Sequence, residues 1–439
     1  MRNYQGWKDY QKQLTRKGFS KRSFKWGFWF FPCLLLLVIG IQCFEVNLSF
    51  DYFNRSNEIA GSFGSKTFET LGALTKQDLR KLIDLETLCN NPDGKIDINC
   101  NGRSLSLETT LDQALQSYML KVIERSRSPL IGFVAMDPAT GRILSVIDSK
   151  KVNRAKSICL SSQFPAASIF KIVSAAAAID RCNISGDTRL TYNGWAHTLY
   201  KNQLTDRINR YTNSTSLKSS FAKSINPVFG KLGIFRLKKD LIKEYANRFG
   251  FNQKIDFELP VELSRISVGD DPYHWAEVCC GFNRETLISP IHGAMMAAAI
   301  VNGGKLVEPT IIGYITDEEK NPVYVGSTNI IRQVISRKAS REMKELMAAT
   351  ISSGTCRGTF RGYRRDPILS KLSIGGKTGS INNKSNELRY DWFVGYCAEK
   401  AGTKKLALSV LVVHDKLLRE KAQEFARRAM RYYFKESRG

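Results

Sequence analysis

The stretch Phe164-Pro-Ala-Ala-Ser168-Ile-Phe-Lys171, running on through Ile172 to Ile179, decides how this chain is read. It reads as a serine in the first turn of a buried helix with a lysine one turn later. Residues three apart on a helix share a face, so the Ser168 hydroxyl and the Lys171 amine point the same way. That pairing makes chemical sense if the serine is a nucleophile and the lysine takes its proton. A lysine beside an apolar helix is costly to desolvate unless its charge is used or neutralised. The helix N-terminus also offers free N–H groups and the positive end of the dipole, where an oxyanion can be held.

The spacing alone is weak, because serine and lysine are common and Ser220-Phe-Ala-Lys223 repeats it. Context separates the two. A proline and two small residues precede Ser168, and the run Ser174-Ala-Ala-Ala-Ala-Ile179 after it can pack tightly. Two further motifs follow in order. Ser224-Ile225-Asn226 lies before Pro227 and a helix-like run. Lys377-Thr378-Gly379-Ser380 follows Ile374-Gly375-Gly376 and reads as an edge strand whose glycines admit a substrate backbone. S-x-N is cheap as a pattern, since Ser380-Ile381-Asn382 matches it by accident, whereas Lys-Thr-Gly occurs once.

The ordered set of S-x-x-K, S-x-N and K-T-G is far more specific than its parts. In it the chain resembles the penicillin-binding protein transpeptidase domain of the serine DD-transpeptidase and β-lactamase superfamily, in a short monofunctional (class B-like) form. The resemblance covers roughly residues 125–435 and implies an α+β fold, an antiparallel β-sheet flanked by helices with an all-α subdomain. Other segments agree with it. Ile131–Ile147 is two apolar strands about an Asp-Pro-Ala-Thr-Gly turn, a hairpin signature. Tyr390–Tyr396 and Lys405–His414 look like the strands after K-T-G. Ser289-Pro290 caps a helix that Asn302-Gly-Gly stops, and Lys421–Phe434 has helical spacing.

The resemblance also implies roles. Ser168 attacks the penultimate peptide carbonyl to give an acyl-enzyme, and Lys171 accepts its proton if neutral. Burial and the charge of Lys377 both lower the Lys171 pKa. Ser224 relays the proton to the leaving amine, and Asn226 holds the substrate amide and hydrogen-bonds Lys171. The backbone N–H groups of Ser168 and Ser380 form the oxyanion hole. Lys377, Thr378, Gly379 and Ser380 suit a terminal carboxylate, and hence a stem peptide of peptidoglycan ending in D-alanyl-D-alanine, with β-lactam antibiotics as inhibitors. This acyl transfer calls for no cofactor and no metal, and His274 near Cys279 and Cys280 lacks metal-ligand spacing. A DD-carboxypeptidase or endopeptidase, a β-lactamase or β-lactam sensor, and a non-catalytic assembly scaffold remain alternatives. A convincing deacylation glutamate is missing, since Glu244-Tyr-Ala-Asn247 has the wrong spacing. Asn226 stands where class D β-lactamases usually carry Val or Ile, and the complete motif set speaks against a scaffold.

The outer layout gives a location. Trp26 to Phe44 is apolar, with no charge and one Gln, and about 20 such residues span a bilayer. Eight Lys/Arg against Asp9 precede it, so residues 1–25 read as a cytoplasmic stub, 26–44 as a transmembrane anchor, and the remainder as extracytoplasmic. Gly40-Ile41-Gln42 is a poor cleavage site, which favours an uncleaved anchor in a bacterial inner membrane. Residues 45–125 read as a short linker or pedestal with a helix from Leu105 to Arg125, too short for a glycosyltransferase domain. Residues 126–435 read as the transpeptidase domain. The net charge of +25 invites a nucleic-acid reading, but an outside location makes anionic lipid or wall polymer the better partner, beside cell-wall synthesis proteins. Eight of the ten cysteines lie outside the anchor. Cys89 with Cys100 and Cys159 with Cys182 are the disulfide pairings the order suggests, and free buried thiols are the alternative.

Overall fold

The structure is a computed structural model, and it describes residues 74–436 apart from 84–87, 101 and 150–155, together with a gap at 416. The stub, the anchor and the start of the linker lie outside the described residues. Among the described residues no helix is long and apolar enough to cross a membrane.

The centre is a five-stranded antiparallel sheet. Its strands are β3 (Leu130–Met136), β4 (Ile143–Asp148), β7 (Leu372–Asn382), β8 (Arg389–Glu399) and β9 (Lys405–His414), in the order β7-β8-β9-β3-β4. β9 is buried throughout apart from its first residue. Such a strand needs cover on both faces. One face is covered by α2 (Gln113–Glu124) and α10 (Ala422–Glu436). There Leu115, Met119 and Ile123 meet Phe425, Ala429 and Met430 over Phe133, Phe393, Leu408 and Val410. The other face takes α8 (Pro290–Val301), every residue of which is buried. Ser289 caps it by accepting from the His292 N–H, and Pro290 follows at the first turn.

The hairpin, the strands after K-T-G, the helix capped by Ser289 and the C-terminal helix thus stand where the sequence places them. β7, which carries Lys377, is an edge strand as read. The all-α layer consists of α3 (Lys171–Arg181), α4 (Leu217–Ala222), α5 (Asn226–Leu232), α6 (Lys238–Arg248), α7 (Pro272–Cys280) and α9 (Arg337–Ser352). α1 (Lys76–Leu82) precedes them in the chain, with a Thr75–Asp78 capping box.

Two expectations are corrected. The helix read from Leu105 to Arg125 is half strand. β2 (Arg103–Thr109) pairs with β1 (Lys95–Cys100), and only Gln113–Glu124 is helical. The alternation of buried Leu105 and Leu107 with their exposed or half-buried neighbours is a strand period that the apolar count obscures. β2 continues into β5 (Ile312–Thr316) and β6 (Pro322–Val325), making a second sheet in the order β1-β2-β5-β6. The disulfide pairings also fail: all eight cysteines of the described residues are free. Cys159 is wholly buried, its Sγ 3.4 Å from the Phe133 carbonyl and 3.3 Å from that of Ile147. Cys182 lies on another surface, 3.9 Å from the Arg236 carbonyl.

Gly395 shows how closely β7 is held. It faces Gly376 across the β7–β8 ladder, and a Cβ there would sit 2.4 Å from the Gly375 carbonyl oxygen. The obstacle is backbone, so β7 itself must move. Gly395→Ala is expected to destabilise the fold by about 1–3 kcal/mol, measured as a lowered denaturation midpoint. An unchanged midpoint would show that the strands have room to separate.

Candidate active site

Ser168 is presented by a clamped turn. Phe164 and Pro165 pair with Ile288 and Leu287. The Trp392 indole of β8 donates to the Pro165 carbonyl at 2.9 Å, and the Ala166 N–H donates to Thr286 at 2.8 Å. Ala167 then takes φ +49°, a left-handed conformation costing roughly 1–2 kcal/mol for a residue with a Cβ. Strain of this kind concentrates at functional sites. The sequence places Ser168 in the first turn of the α-helix. It lies instead in a 3-10 turn, Ala167–Phe170, and Lys171 is the first residue of α3. The two side chains still meet, with Nζ of Lys171 2.8 Å from Oγ of Ser168.

Lys171 is wholly buried. Its Nζ also reaches Oδ1 of Asn226 at 2.8 Å and the Cys280 carbonyl at 2.6 Å. An ammonium can donate to all three oxygens. A neutral amine has two N–H donors for Asn226 and Cys280, and one lone pair for the Ser168 O–H. The cage therefore holds either protonation state without rearrangement. Burial lowers the Lys171 pKa from 10.5 to about 8, roughly 3 kcal/mol against the charged form.

Asn226 opens α5 and is fixed from behind. Its N–H donates to Ala196 at 2.7 Å and its side-chain amide to His197 at 3.1 Å, which leaves Oδ1 for Lys171. Ser224, at φ +57°, turns its hydroxyl toward β7. There the Lys377 amine donates to it at 3.0 Å, and to the Thr378 carbonyl at 2.8 Å. Lys377 too is wholly buried, and burial first, then the charge of Lys171, push its pKa well below 10.5. This revises the expectation that Lys377 tunes Lys171. Burial depresses Lys171, and the repulsion between the amines is felt at Lys377.

The remaining residues of β7 line the open side. Gly379 lets the strand approach the serine turn, since a Cβ there would lie 3.1 Å from the Ile169 nitrogen. The Thr378 hydroxyl shares a 2.6 Å hydrogen bond with that of Thr355. Ser380 is exposed, and the Arg389 guanidinium donates to its Oγ at 2.7 Å. Two hydroxyls of β7 and the guanidinium of Arg389 on β8 suit a carboxylate. The decoy is resolved as well. Ser220 is buried with its O–H on the Ser216 carbonyl at 2.8 Å, and Lys223 faces solvent.

Sequence reasoning missed four contributors. Cys280 supplies a carbonyl at the C-terminal end of α7, and Gly281 follows at φ +68°. A Cβ on Gly281 would sit 1.8 Å from the Ala167 oxygen, so only glycine lets α7 end against the Ser168 turn. A glycine closing a helix was the visible signal, but nothing local says what the helix end touches. Thr355 and Arg389 carry no motif and reach the site through packing alone. The Lys171 amine is expected to titrate near pH 8, followed by nitrogen NMR of labelled lysine. A midpoint near the ordinary 10.5 would refute the dry cage.

Residues 131–431 match the penicillin binding protein transpeptidase domain. The chain is 25% identical over 322 residues to Stage V sporulation protein D of Bacillus subtilis (strain 168), covering 66% of this chain and 46% of that one. It is 22% identical over 352 residues to the peptidoglycan D,D-transpeptidase PbpA of Mycobacterium tuberculosis (strain ATCC 25618 / H37Rv), covering 71% of this chain and 67% of that one. It thus spans about half the length of the Bacillus relative. In three dimensions it is similar to the crystal structure of PBPA from M. tuberculosis, with TM-score 0.61, 19% identity, and coverage of 74% of this chain and 81% of that one. It is also similar to penicillin binding protein 3 of the same organism, with TM-score 0.63, 18% identity and coverage of 76% and 79%. With the motif residues gathered in one cleft and more than half of the chain matched by the family, the chain belongs to the penicillin-binding protein transpeptidase domain family.

Proposed function

We propose that the chain is a serine D,D-transpeptidase of peptidoglycan synthesis that works through an acyl-enzyme on Ser168. The observation that carries this reading is the Lys171 amine, buried and held 2.8 Å from both Ser168 and Asn226. An amine titrating near 8 is close enough to neutral pH to serve as a base. The name of one relative, the peptidoglycan D,D-transpeptidase PbpA of M. tuberculosis, supports the same reaction class.

The steps follow from the placement of groups. A peptide ending in D-alanyl-D-alanine docks its carboxylate against Thr378, Ser380 and Arg389, with Lys377 beneath. Ser168 Oγ attacks the penultimate carbonyl carbon as its proton passes to Lys171. The oxyanion is taken by the N–H groups of Ser168 and Ser380, worth several kcal/mol in a dry site. Collapse breaks the C–N bond, and the leaving D-alanine amine receives the proton by way of Ser224, which Lys377 orients. The acyl group then passes from Ser168 to an amine of a second stem, restoring the serine O–H. A β-lactam enters by the same attack, in line with the imipenem and penicillin G acyl-enzyme complexes of penicillin-binding protein A from M. tuberculosis. The apolar run Trp26–Phe44 would hold the enzyme on the outer face of a bacterial inner membrane, near the lipid-linked substrate and cell-wall synthesis partners.

A fluorescent penicillin is expected to label the full chain covalently. Ser168→Ala should abolish labelling and Ser220→Ala should leave it. Label that survives the first change would move the nucleophile elsewhere. The labelling rate should rise with pH through about 8, because Lys171 must lose its proton to act as base and its pKa is lowered to that value. A rate independent of pH between 6 and 9 would remove Lys171 from that role. Mass spectrometry of the adduct should show persistence for hours. Turnover within seconds would mark a β-lactamase.

A further inference from the structure

The wall of the cleft built on Asn226 carries an exposed surface that no step above uses. The carbonyls that hold Asn226 belong to Ala196 and His197, and Trp195 beside them is 80% exposed. A second loop stands with it, in which Ile208 is 77% and Tyr211 68% exposed. These are the three most exposed large apolar side chains among the described residues.

Hydrogen bonds tie the two loops into one unit. Asn193 accepts from the Thr212 hydroxyl at 2.7 Å and donates to the Arg207 carbonyl at 3.0 Å. Gln203 donates to the Asn193 and Trp195 carbonyls at 2.8 and 3.2 Å. Exposed apolar groups on a rigid frame mark a binding surface more often than chance exposure does.

The charge is one-sided. Between 189 and 212 the chain has Arg189, Lys201, Arg207 and Arg210 against Asp206 alone, and Asp206 is taken by Lys231 at 2.8 Å. Arg210 lies over the Tyr211 ring at 4.6 Å. Among the described residues Arg207 and Arg210 form no ion pair. The surface therefore offers aromatic faces and uncompensated guanidinium groups, which fit an anionic, partly apolar chain.

We propose that this rim docks the donor peptide upstream of the bond that Ser168 attacks, and selects a peptide with a free carboxylate there. The proposal rests on the transpeptidase reading and adds to it a specificity surface. With its terminal carboxylate on β7 and its carbonyl at Ser168, a donor peptide leaves the cleft past the wall that Asn226 anchors. The aromatic faces and the cations just beyond Asn226 favour a peptide with an acidic side chain over an uncharged glycan strand.

The test uses the full chain and two capped peptides ending in D-alanyl-D-alanine. They differ at one upstream residue, glutamate in one and glutamine in the other. Each is scored by its protection of Ser168 from fluorescent penicillin, so binding is read whether or not the peptide turns over. The glutamate peptide should protect about three- to tenfold better, the range expected of one or two exposed charge pairs. The preference should vanish in the Arg207→Gln, Arg210→Gln double variant and in 1 M salt. Trp195→Ala should weaken both peptides. Penicillin alone should acylate all variants at the same rate. Equal protection by the two peptides, protection by neither, or a preference that survives the double variant overturns the rim as a carboxylate-selecting surface. So does a loss of penicillin acylation in the rim variants, which would show the loops acting only through Asn226. A parent chain that penicillin cannot acylate would instead overturn the transpeptidase reading.

Discussion

The site depends on keeping two lysine amines dry within one cleft. Each is wholly buried and each is lowered from its ordinary range by that burial. Water in the cleft would return both to stable ammonium ions. Dryness requires neighbours that supply hydrogen bonds without admitting solvent. Asn226 and the Cys280 carbonyl do this for Lys171, and Ser224 and the Thr378 carbonyl do it for Lys377.

This constraint explains the distribution of rigidity. Ser168, Asn226 and Lys377 belong to three elements far apart in sequence, and each is pinned, the first and the last both through β8. The serine turn hangs on Trp392 and Thr286, Asn226 on the 196–197 carbonyls, and Lys377 on a strand packed through glycines against β8. Two residues with side chains, Ala167 and Ser224, hold positive φ in or beside the motifs. The five-stranded sheet, covered on both faces, is the stable body against which that strain is held. Distances of 2.8 Å among side chains tolerate little drift, so the chemistry needs the core behind it.

Much of the fold was legible because local pattern and tertiary role coincide. The β3–β4 hairpin has strand periodicity and its turn, α8 has a serine cap and a proline, and α10 has an apolar stripe facing the sheet. The reading failed where the pattern was ambiguous. Leu105 and Leu107 suit a helix by count and a strand by alternation, and pairing with β1 and β5 settled it. Cysteine pairing failed for a different reason: order along the chain carries no information about which thiols meet, and all eight in the described residues are free.

By itself the sequence determined the inventory of the site: a serine, two lysines, an asparagine and a second serine, in an order that chance seldom produces. It also determined the strand on which Lys377 lies, because glycine placement is a local signal. Sequence context favoured Ser168 over Ser220, and tertiary structure supplied the physical difference between the two S-x-x-K spacings. Ser220 spends its hydroxyl on a backbone carbonyl and Lys223 stays in water, while Ser168 and Lys171 face a carbonyl from the end of α7. It alone brought Gly281, Thr355 and Arg389 to the cleft, since their effect lies in what they touch across the fold. The physical reason is common to all of these: a pKa, a close approach and a shared hydrogen bond depend on the surrounding atoms, and folding chooses those atoms from distant parts of the chain.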